Sequence, residues 1–353
     1  MKSNFLTYNL SEVPNMLTAL QQPAFRTKQL LKWVYLDGVF SYDEMTNLPK
    51  QLRHTLAEQY PLSKPLVVDK QTSTDGTRKY VFQLDKTTQV EAVGIPSLAQ
   101  KATKQEPKHL TVCFSTQAGC SMNCAFCATG QEGLQRNLSS GEMLSQILLV
   151  QHDFGCRVSN VVSMGQGEPF RNYKAVLETL HYLNAQEGFA IGARHITVST
   201  CGIIPGIQKL AQEPEQFTLA VSLHSAEQAV RNKLMPYCKA WPLSELKDAL
   251  LAYVQQTGRR PSLEYLLIHN LTDTPQALVA LQDFCRGLLC HVNLIPMNEV
   301  AHSSFKPSSP NIQQQWTCAL KKVGIECTVR NSRGADIDGA CGQLKNKIAT
   351  SST

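Results

Sequence analysis

From about residue 109 onward the chain alternates strand-like and helix-like segments about six times. This predicts an α/β fold, a partial (β/α)6-type barrel with a small N-terminal helical accessory domain. Two further observations favour a barrel over a doubly wound sheet. No dinucleotide fingerprint is present. Residues able to do chemistry also recur where strands end, in GCSMNCAFC, GQGEP, STCG, SLHS and PMNE, the edge at which such barrels carry their sites.

Residues 1–65 read as the helical accessory domain. In PAFRTKQLLKWVYLDG, Leu30, Leu31, Val34 and Tyr35 share one helical face and Gly38 stops the helix. Ser41 with Glu44 gives a capping-box pattern, and Asn47 and Pro49 stand where a helix over QLRHTLAEQY would start. Residues 66–105 read as a small β linker region, with KYVFQL and TQVEAVGIP alternating like strands of a small sheet. The polar run SLAQKATKQEPKH is expected to be a loop.

Residues 106–353 form the core and a C-terminal segment. HLTVCFST leads into the cysteine loop and then SSGEMLSQILLVQH, whose Ser139 and Glu142 form a capping box. VSNVVSMG precedes YKAVLETLHYLN, HITVST precedes IPGIQKLAQ, and FTLAVSLH precedes AEQAVRNKL. PSLEYLLI precedes Thr274-Pro275 and the helix QALVALQDFCRGL, and HVNLIPMN follows. The last stretch carries a helix, the strand ECTVR, and RGADIDGACGQL.

At 353 residues the chain can hold one large domain and a small one. No stretch nears the roughly 20 apolar residues of a membrane span, and the N-terminus lacks a secretory h-region, so a cytoplasmic protein without a membrane partner is expected. The net charge of +6 is compatible with nucleic acid, but a solvated surface explains it equally. The 12 cysteines are scattered and are not spaced as a secreted disulfide framework. Cys285 and Cys318 read as small buried hydrophobes.

Cys120, Cys124 and Cys127 are the informative ones. Four-iron clusters are normally held by four thiolates, so three from one loop leave one iron open to a small ligand. A zinc site with a distant fourth ligand, or unconnected cysteines, are the competing arrangements. The C-x3-C-x2-C spacing after a strand and before a helix, with Phe126 as the aromatic, resembles the cluster loop of the radical S-adenosylmethionine (SAM) enzymes. The resemblance implies a [4Fe-4S] cluster whose open iron takes the amino and carboxylate groups of SAM. Gly167 would let backbone approach that ligand and Glu168 would accept from its ammonium. Ser199, the run Ser222, Leu223 and His224, and Asn298 lie at successive strand ends, suited to holding ribose and methionine.

The resemblance narrows further. FRTKQLLKWVY, TVCFSTQAGCSMNCAFCATG, VVSMGQGEP, HITVST, AVSLHS, LIPMN and VRNSRGADIDGACGQL, in this order, resemble the RlmN/Cfr family of radical SAM RNA adenine methyltransferases. That resemblance implies two SAM per turnover, one to methylate Cys341 and one to start radical chemistry on the S-methylcysteine. It implies Cys113 as the resolving cysteine, in a transient disulfide with Cys341, and Glu91 as proton acceptor. The implied partners are 23S rRNA, tRNA and an external, flavodoxin-like one-electron reductant. Gln166 replaces the methionine of the family's GMGEP loop, for which local repacking without loss of SAM is expected. Pro169 after Glu168 places the chain nearer RlmN than Cfr, and so favours adenine C2 over C8.

Basic residues near both ends, among them Arg26, Lys28, Lys32, Lys50 and Arg53 and then Lys321, Lys322, Arg330, Arg333, Lys345 and Lys347, are candidate phosphate contacts. A different radical SAM reaction and a non-enzymatic zinc- or cluster-bearing RNA-binding module remain as alternatives at this point.

Overall fold

The computed structural model describes residues 3–97, 109–298, 305–330 and 332–344. The N-terminal helices α1 (Val13–Ala19), α2 (Phe25–Tyr35) and α3 (Lys50–Gln59) each bury one face. α2 buries Leu30, Val34 and Tyr35, with Leu31 partly covered, and Gly38 turns the chain away at φ +68°. The expected capping box at Ser41 is not made. Tyr42–Glu44 is a single 3-10 turn with no side-chain cap. Pro49 opens α3, whereas Asn47 accepts the Trp33 indole N–H at 2.6 Å.

Three strands follow, β1 (Leu66–Thr72), β2 (Arg78–Gln83) and β3 (Gln89–Ser97), paired antiparallel. They form no sheet of their own: β3 pairs antiparallel with β4 (His109–Cys113) and so extends the barrel sheet. The expected alternation is absent for the same reason, since Tyr80, Val81 and Phe82 are all buried in an interior strand. The expected loop over SLAQKATKQEPKH falls mostly on residues 98–108, outside the described residues.

After β4 come a two-stranded hairpin, β5 (Gln117–Gly119) with β6 (Leu134–Asn137), and the short α4 (Ala128–Gln131) between them. α5 (Ser140–Phe154) begins on the expected box: Ser139 Oγ accepts from the Glu142 amide and Glu142 accepts from the Ser139 amide. Gly141 lets this helix meet the accessory domain, because a Cβ there would stand 2.4 Å from Tyr35 Oη. The repeats then run β7 (Val158–Val162), α6 (Tyr173–Asn184), β8 (Ile196–Thr200), α7 (Ile204–Leu210), β9 (Thr218–Ser222) and α8 (Gln228–Leu234). α9 (Leu243–Thr257), β10 (Ser262–Leu267), α10 (Pro275–Cys285), β11 (His291–Pro296), α11 (Pro310–Lys322) and β12 (Glu326–Val329) complete them.

Neighbouring strands from β4 through β12, the hairpin aside, pair parallel in the order β4-β7-β8-β9-β10-β11-β12. This is the predicted α/β barrel-type sheet, open at its ends, with crossover helices between its strands. Thr274 caps α10 through the Ala277 amide with Pro275 at its first turn, as the sequence suggests. AEQAVRNKL, the segment expected after β9, does form a helix there. That segment supplies only a seven-residue helix, and the 15-residue α9, stopped by Gly258 at φ +66°, provides the second half. Cys285 is buried, but Cys318 is exposed, because α11 turns Trp316 and Leu320 inward and Cys318 lies between them in sequence on the outer side. Among the described residues no helix is long and apolar enough to cross a membrane.

Candidate active site

The three-cysteine loop closes between β5 and α4. The Cys120 amide donates to the Gly133 carbonyl at 2.8 Å and the Ala125 amide to the Leu234 carbonyl at 2.9 Å. Cys120, Cys124 and Cys127 face one cavity at the C-terminal ends of the parallel strands. Thiolates around a single tetrahedral ion would stand about 3.8 Å apart, given a metal–sulfur distance of about 2.3 Å. Among the described residues the only His/Cys/Asp/Glu group whose ligand atoms all lie within 4.8 Å of one another is His181, Glu213 and Glu215, so the three sulfurs are spread more widely than one ion needs. Burial pushes the Cys120 thiol up to about 12, and burial and then the other thiols push Cys124 well up. Burial also raises Cys127, against backbone hydrogen bonds that oppose it. Ionising three such thiols together requires strong local positive charge, which an iron cluster supplies. The donor set therefore fits a cluster, held by three thiolates.

The strand ends complete the cavity. Gly167, at φ +105°, packs so closely on Gln117 that a Cβ would lie 2.7 Å from its side chain. Glu168 is buried, its Oε1 accepting from the Phe170 amide at 3.0 Å and its Oε2 from the Cys201 amide at 2.7 Å. Burial raises its pKa, while these hydrogen bonds lower it. Ser199, Ser222, His224 and Asn298 also line the cavity. Burial and then the nearby Arg231 charge depress the His224 pKa to about 3, so its imidazole is neutral, edge-on to Phe126 at 4.6 Å. Leu223 does not reach the cavity; its side chain is in the core and its amide donates to the Glu264 carbonyl. The Gln166 backbone fixes the GQGEP loop, its carbonyl accepting from Thr116 and Gln117 and its amide donating to Ser115 Oγ at 2.8 Å.

A second cavity adjoins the first. It is lined by Cys113, Val93, Ile95 and the C-terminal segment, and Cys341 lines both cavities. Burial first, then repulsion from Cys341, pushes the Cys113 thiol up to about 12, against the opposing Arg330 charge. Cys113 and Cys341 are both free thiols. Glu91 lines neither cavity. It is wholly buried one step along the β3 face that carries Val93 and Ile95, with Lys79 Nζ at 3.7 Å.

Sequence reasoning missed Cys201, Glu264 and the fully buried Arg231, whose Nη2 donates to the Cys201 carbonyl at 2.7 Å. Glu264 had a signal: it is the one charged residue inside the apolar run SLEYLL. Several candidate phosphate contacts are otherwise engaged. Arg330 lines both cavities, Arg333 pairs with Asp75 at 3.3 Å, and Lys32 pairs with Asp37 at 2.8 Å. Lys345 and Lys347 lie outside the described residues.

Comparison with known proteins gives concordant matches. Residues 3–61 match the family described as ribosomal RNA large subunit methyltransferase N-terminal domain, and residues 114–279 match the radical SAM superfamily. A probable dual-specificity RNA methyltransferase RlmN from Alkaliphilus oremlandii is 43% identical over 347 residues, 98% of each chain. A protein of the same description from Clostridium tetani is 41% identical, covering 98% of this chain and 96% of its own. The crystal structure of a radical SAM methyltransferase from Sphaerobacter thermophilus superposes with a TM-score of 0.88 at 40% identity, covering 97% of this chain and 99% of that one.

Proposed function

The chain belongs to the RlmN family of radical SAM RNA methyltransferases, and from that premise we propose that it methylates C2 of an adenine in 23S rRNA, and in tRNA, through a methylated Cys341. The observation carrying this reading is that Cys341 lines both the cavity of the three-cysteine loop and the one holding Cys113. One sulfur can then be loaded on one side and released on the other.

Adenine C2 is an electron-poor ring carbon and does not attack a methyl sulfonium. A cysteine thiolate does. The Cys341 sulfur gives its lone pair to the methyl carbon of one SAM, and the carbon–sulfonium bond breaks toward S-adenosylhomocysteine. Cys120, Cys124 and Cys127 would hold the cluster, which, bound with a second SAM and given an electron by an external reductant, would supply the hydrogen-abstracting radical. Glu168, Ser199, Ser222, His224 and Asn298 line the space for that cosubstrate, with the backbone of Gly167 shaping its wall, while Leu223 stays in the core behind it.

The carbon carried by Cys341, having given a hydrogen atom to that radical, bonds the adenine ring. The adduct passes its unpaired electron back to the external one-electron partner, leaving a closed-shell covalent enzyme–RNA adduct. Glu91 is the acceptor assigned to the ring proton, and its burial beside Lys79 requires that the proton reach it along the β3 face. Cys113 attacks the Cys341 sulfur. A sulfur–sulfur bond forms, the carbon–sulfur bond breaks, and its electron pair leaves with the product carbon, which takes up a proton to become the methyl group. The resulting disulfide is reduced by an external thiol.

The test is mass mapping of adenines in 23S rRNA and tRNA after anaerobic incubation with the reconstituted chain, SAM and a reductant. A C2 methyl whose carbon passes through Cys341 supports the proposal. A C8 methyl, or no RNA product, overturns it.

A further inference from the structure

Arg330 follows β12 and is fixed at the barrel rim by its amide, which donates to the Leu294 carbonyl at 2.8 Å. Its Nη1 lies 3.5 Å from Met164 Sδ and 3.8 Å from Glu264 Oε2. Glu264 is buried on β10, and its Oε2 accepts no hydrogen bond among the described residues. The two cavities share only Met164, Ile295, Asn298, Arg330 and Cys341 among their lining residues, so Arg330 is the cation common to both. The reactive thiols are therefore served by a single guanidinium, held from behind by a single carboxylate.

We propose that Arg330 is a positioning residue for both reactive sulfurs, its guanidinium standing at the shared wall to stabilise negative charge first on Cys341 and then on Cys113. This rests on the reading of Cys341 as methyl carrier and Cys113 as resolving cysteine. Each step starts with a thiolate and ends with a neutral sulfur, after its proton has gone to solvent. A fixed cation lowers the cost of forming that charge in a buried place. The electrostatics agree. Cys341 is the largest influence holding Arg330 protonated, burial opposes it, and Glu264 and Cys113 follow. Arg333, also in the second cavity, donates to the Pro96 carbonyl and pairs with Asp75, so it is committed elsewhere.

The reconstituted full-length chain, with Arg330→Met and Arg330→Lys, is examined in two ways. The first is the rate of S-methylation at Cys341 by SAM, read by peptide mass with SAM half-saturation measured alongside. The second, in protein stripped of its cluster, is iodoacetamide capture resolved at Cys341 and Cys113. Arg330→Met is expected to slow methylation and capture at both cysteines by about tenfold, with SAM half-saturation unchanged, and Arg330→Lys to restore most of both. Equal rates in wild type and Arg330→Met overturn the proposal, as does failure of Arg330→Lys to rescue. If Arg330→Met melts early, Arg330→Gln is judged by the same criteria. Absence of any methyl on Cys341 in the wild type sinks the carrier reading itself, while the capture rates still decide the role of Arg330.

Discussion

Asn298 Nδ2 donates a 3.2 Å hydrogen bond to the backbone carbonyl of Cys341. The end of β11 thus holds the C-terminal segment at the residue that lines both cavities. A second tie lies one residue further, where the Ala128 amide donates to the Gly342 carbonyl at 2.8 Å. The segment is tied at two successive carbonyls, that of Cys341 and that of the next residue, and neither tie uses the sulfur.

Replacing Asn298 by Ala removes one of those ties. One lost hydrogen bond is worth about 0.5–1.5 kcal/mol, so S-methylation of Cys341 should slow several-fold while iron content stays at the wild-type level. Mass analysis of Cys341 peptides beside an iron assay checks this. Loss of iron would place Asn298 in cluster assembly instead.

Cys124→Ala leaves two thiolates in the loop. The iron–sulfur absorbance and the release of 5′-deoxyadenosine should both fall to background, since two ligands from one loop do not hold a four-iron cluster. Deoxyadenosine release surviving in this variant would contradict the cluster assignment.

Cys341→Ala and Cys113→Ala should fail at different steps. The first removes the methyl acceptor, and no RNA becomes linked to protein. The second leaves addition intact but removes the thiol that breaks the carbon–sulfur bond. A covalent RNA complex should accumulate, survive denaturation, and shrink on RNase digestion to a nucleotide remnant at Cys341. Gel shift and peptide mass read the difference.

Lys79 and Glu91 form an ion pair with side chains 2% and 0% exposed. Lys79→Met strips the cation from a buried carboxylate and should destabilise the fold by about 3–5 kcal/mol. The double variant Lys79→Met with Glu91→Leu should recover most of that loss in urea unfolding.

Asp153 gives a pH signature. Burial alone would raise its pKa, but hydrogen bonds from Lys70, Tyr80 and Arg78 outweigh that and bring it down to about 2. A folded pKa below the unfolded value of about 3.9 means stability present above that pH and lost as pH falls through about 2. Asp153→Asn should therefore be less stable than wild type at neutral pH, with the gap closing in acid. A gap independent of pH would show that Asp153 contributes by packing.

The features legible in sequence are those whose chemistry is local. The cysteine loop, the GQGEP turn, and the box at Ser139 and Glu142 each act within a few residues, and the structure forms them as read. A local signal also misled at Ser41, because a box needs a following helical turn and Tyr42–Glu44 is only a 3-10 turn. The lone charge of Glu264 in SLEYLL is visible, but its meeting with Arg330 comes only when β10 and β12 are brought to one rim, and spacing along the chain carries no trace of it. The membership of β1–β3 in the barrel sheet depends on the β3–β4 pairing, which crosses residues 98–108.

The turn between β1 and β2 reaches across the molecule to the C-terminal segment. Asp75 Oδ2 accepts from the Gly334 amide at 3.1 Å and pairs with Arg333, and Asp336 accepts from the Thr74 amide at 3.1 Å. These contacts span about 260 residues of chain, the longest separation of any side-chain hydrogen bond among the described residues. During synthesis the three-cysteine loop emerges some 200 residues before the segment that covers it. The latch is also polar and partly exposed, with Leu344 adding a buried apolar contact against Val93 and Cys113. Such a closure opens at a lower free energy than the sheet beneath it. The segment that bears Cys341 can thus part from the molecule without unfolding the sheet whose strand ends carry the three-cysteine loop.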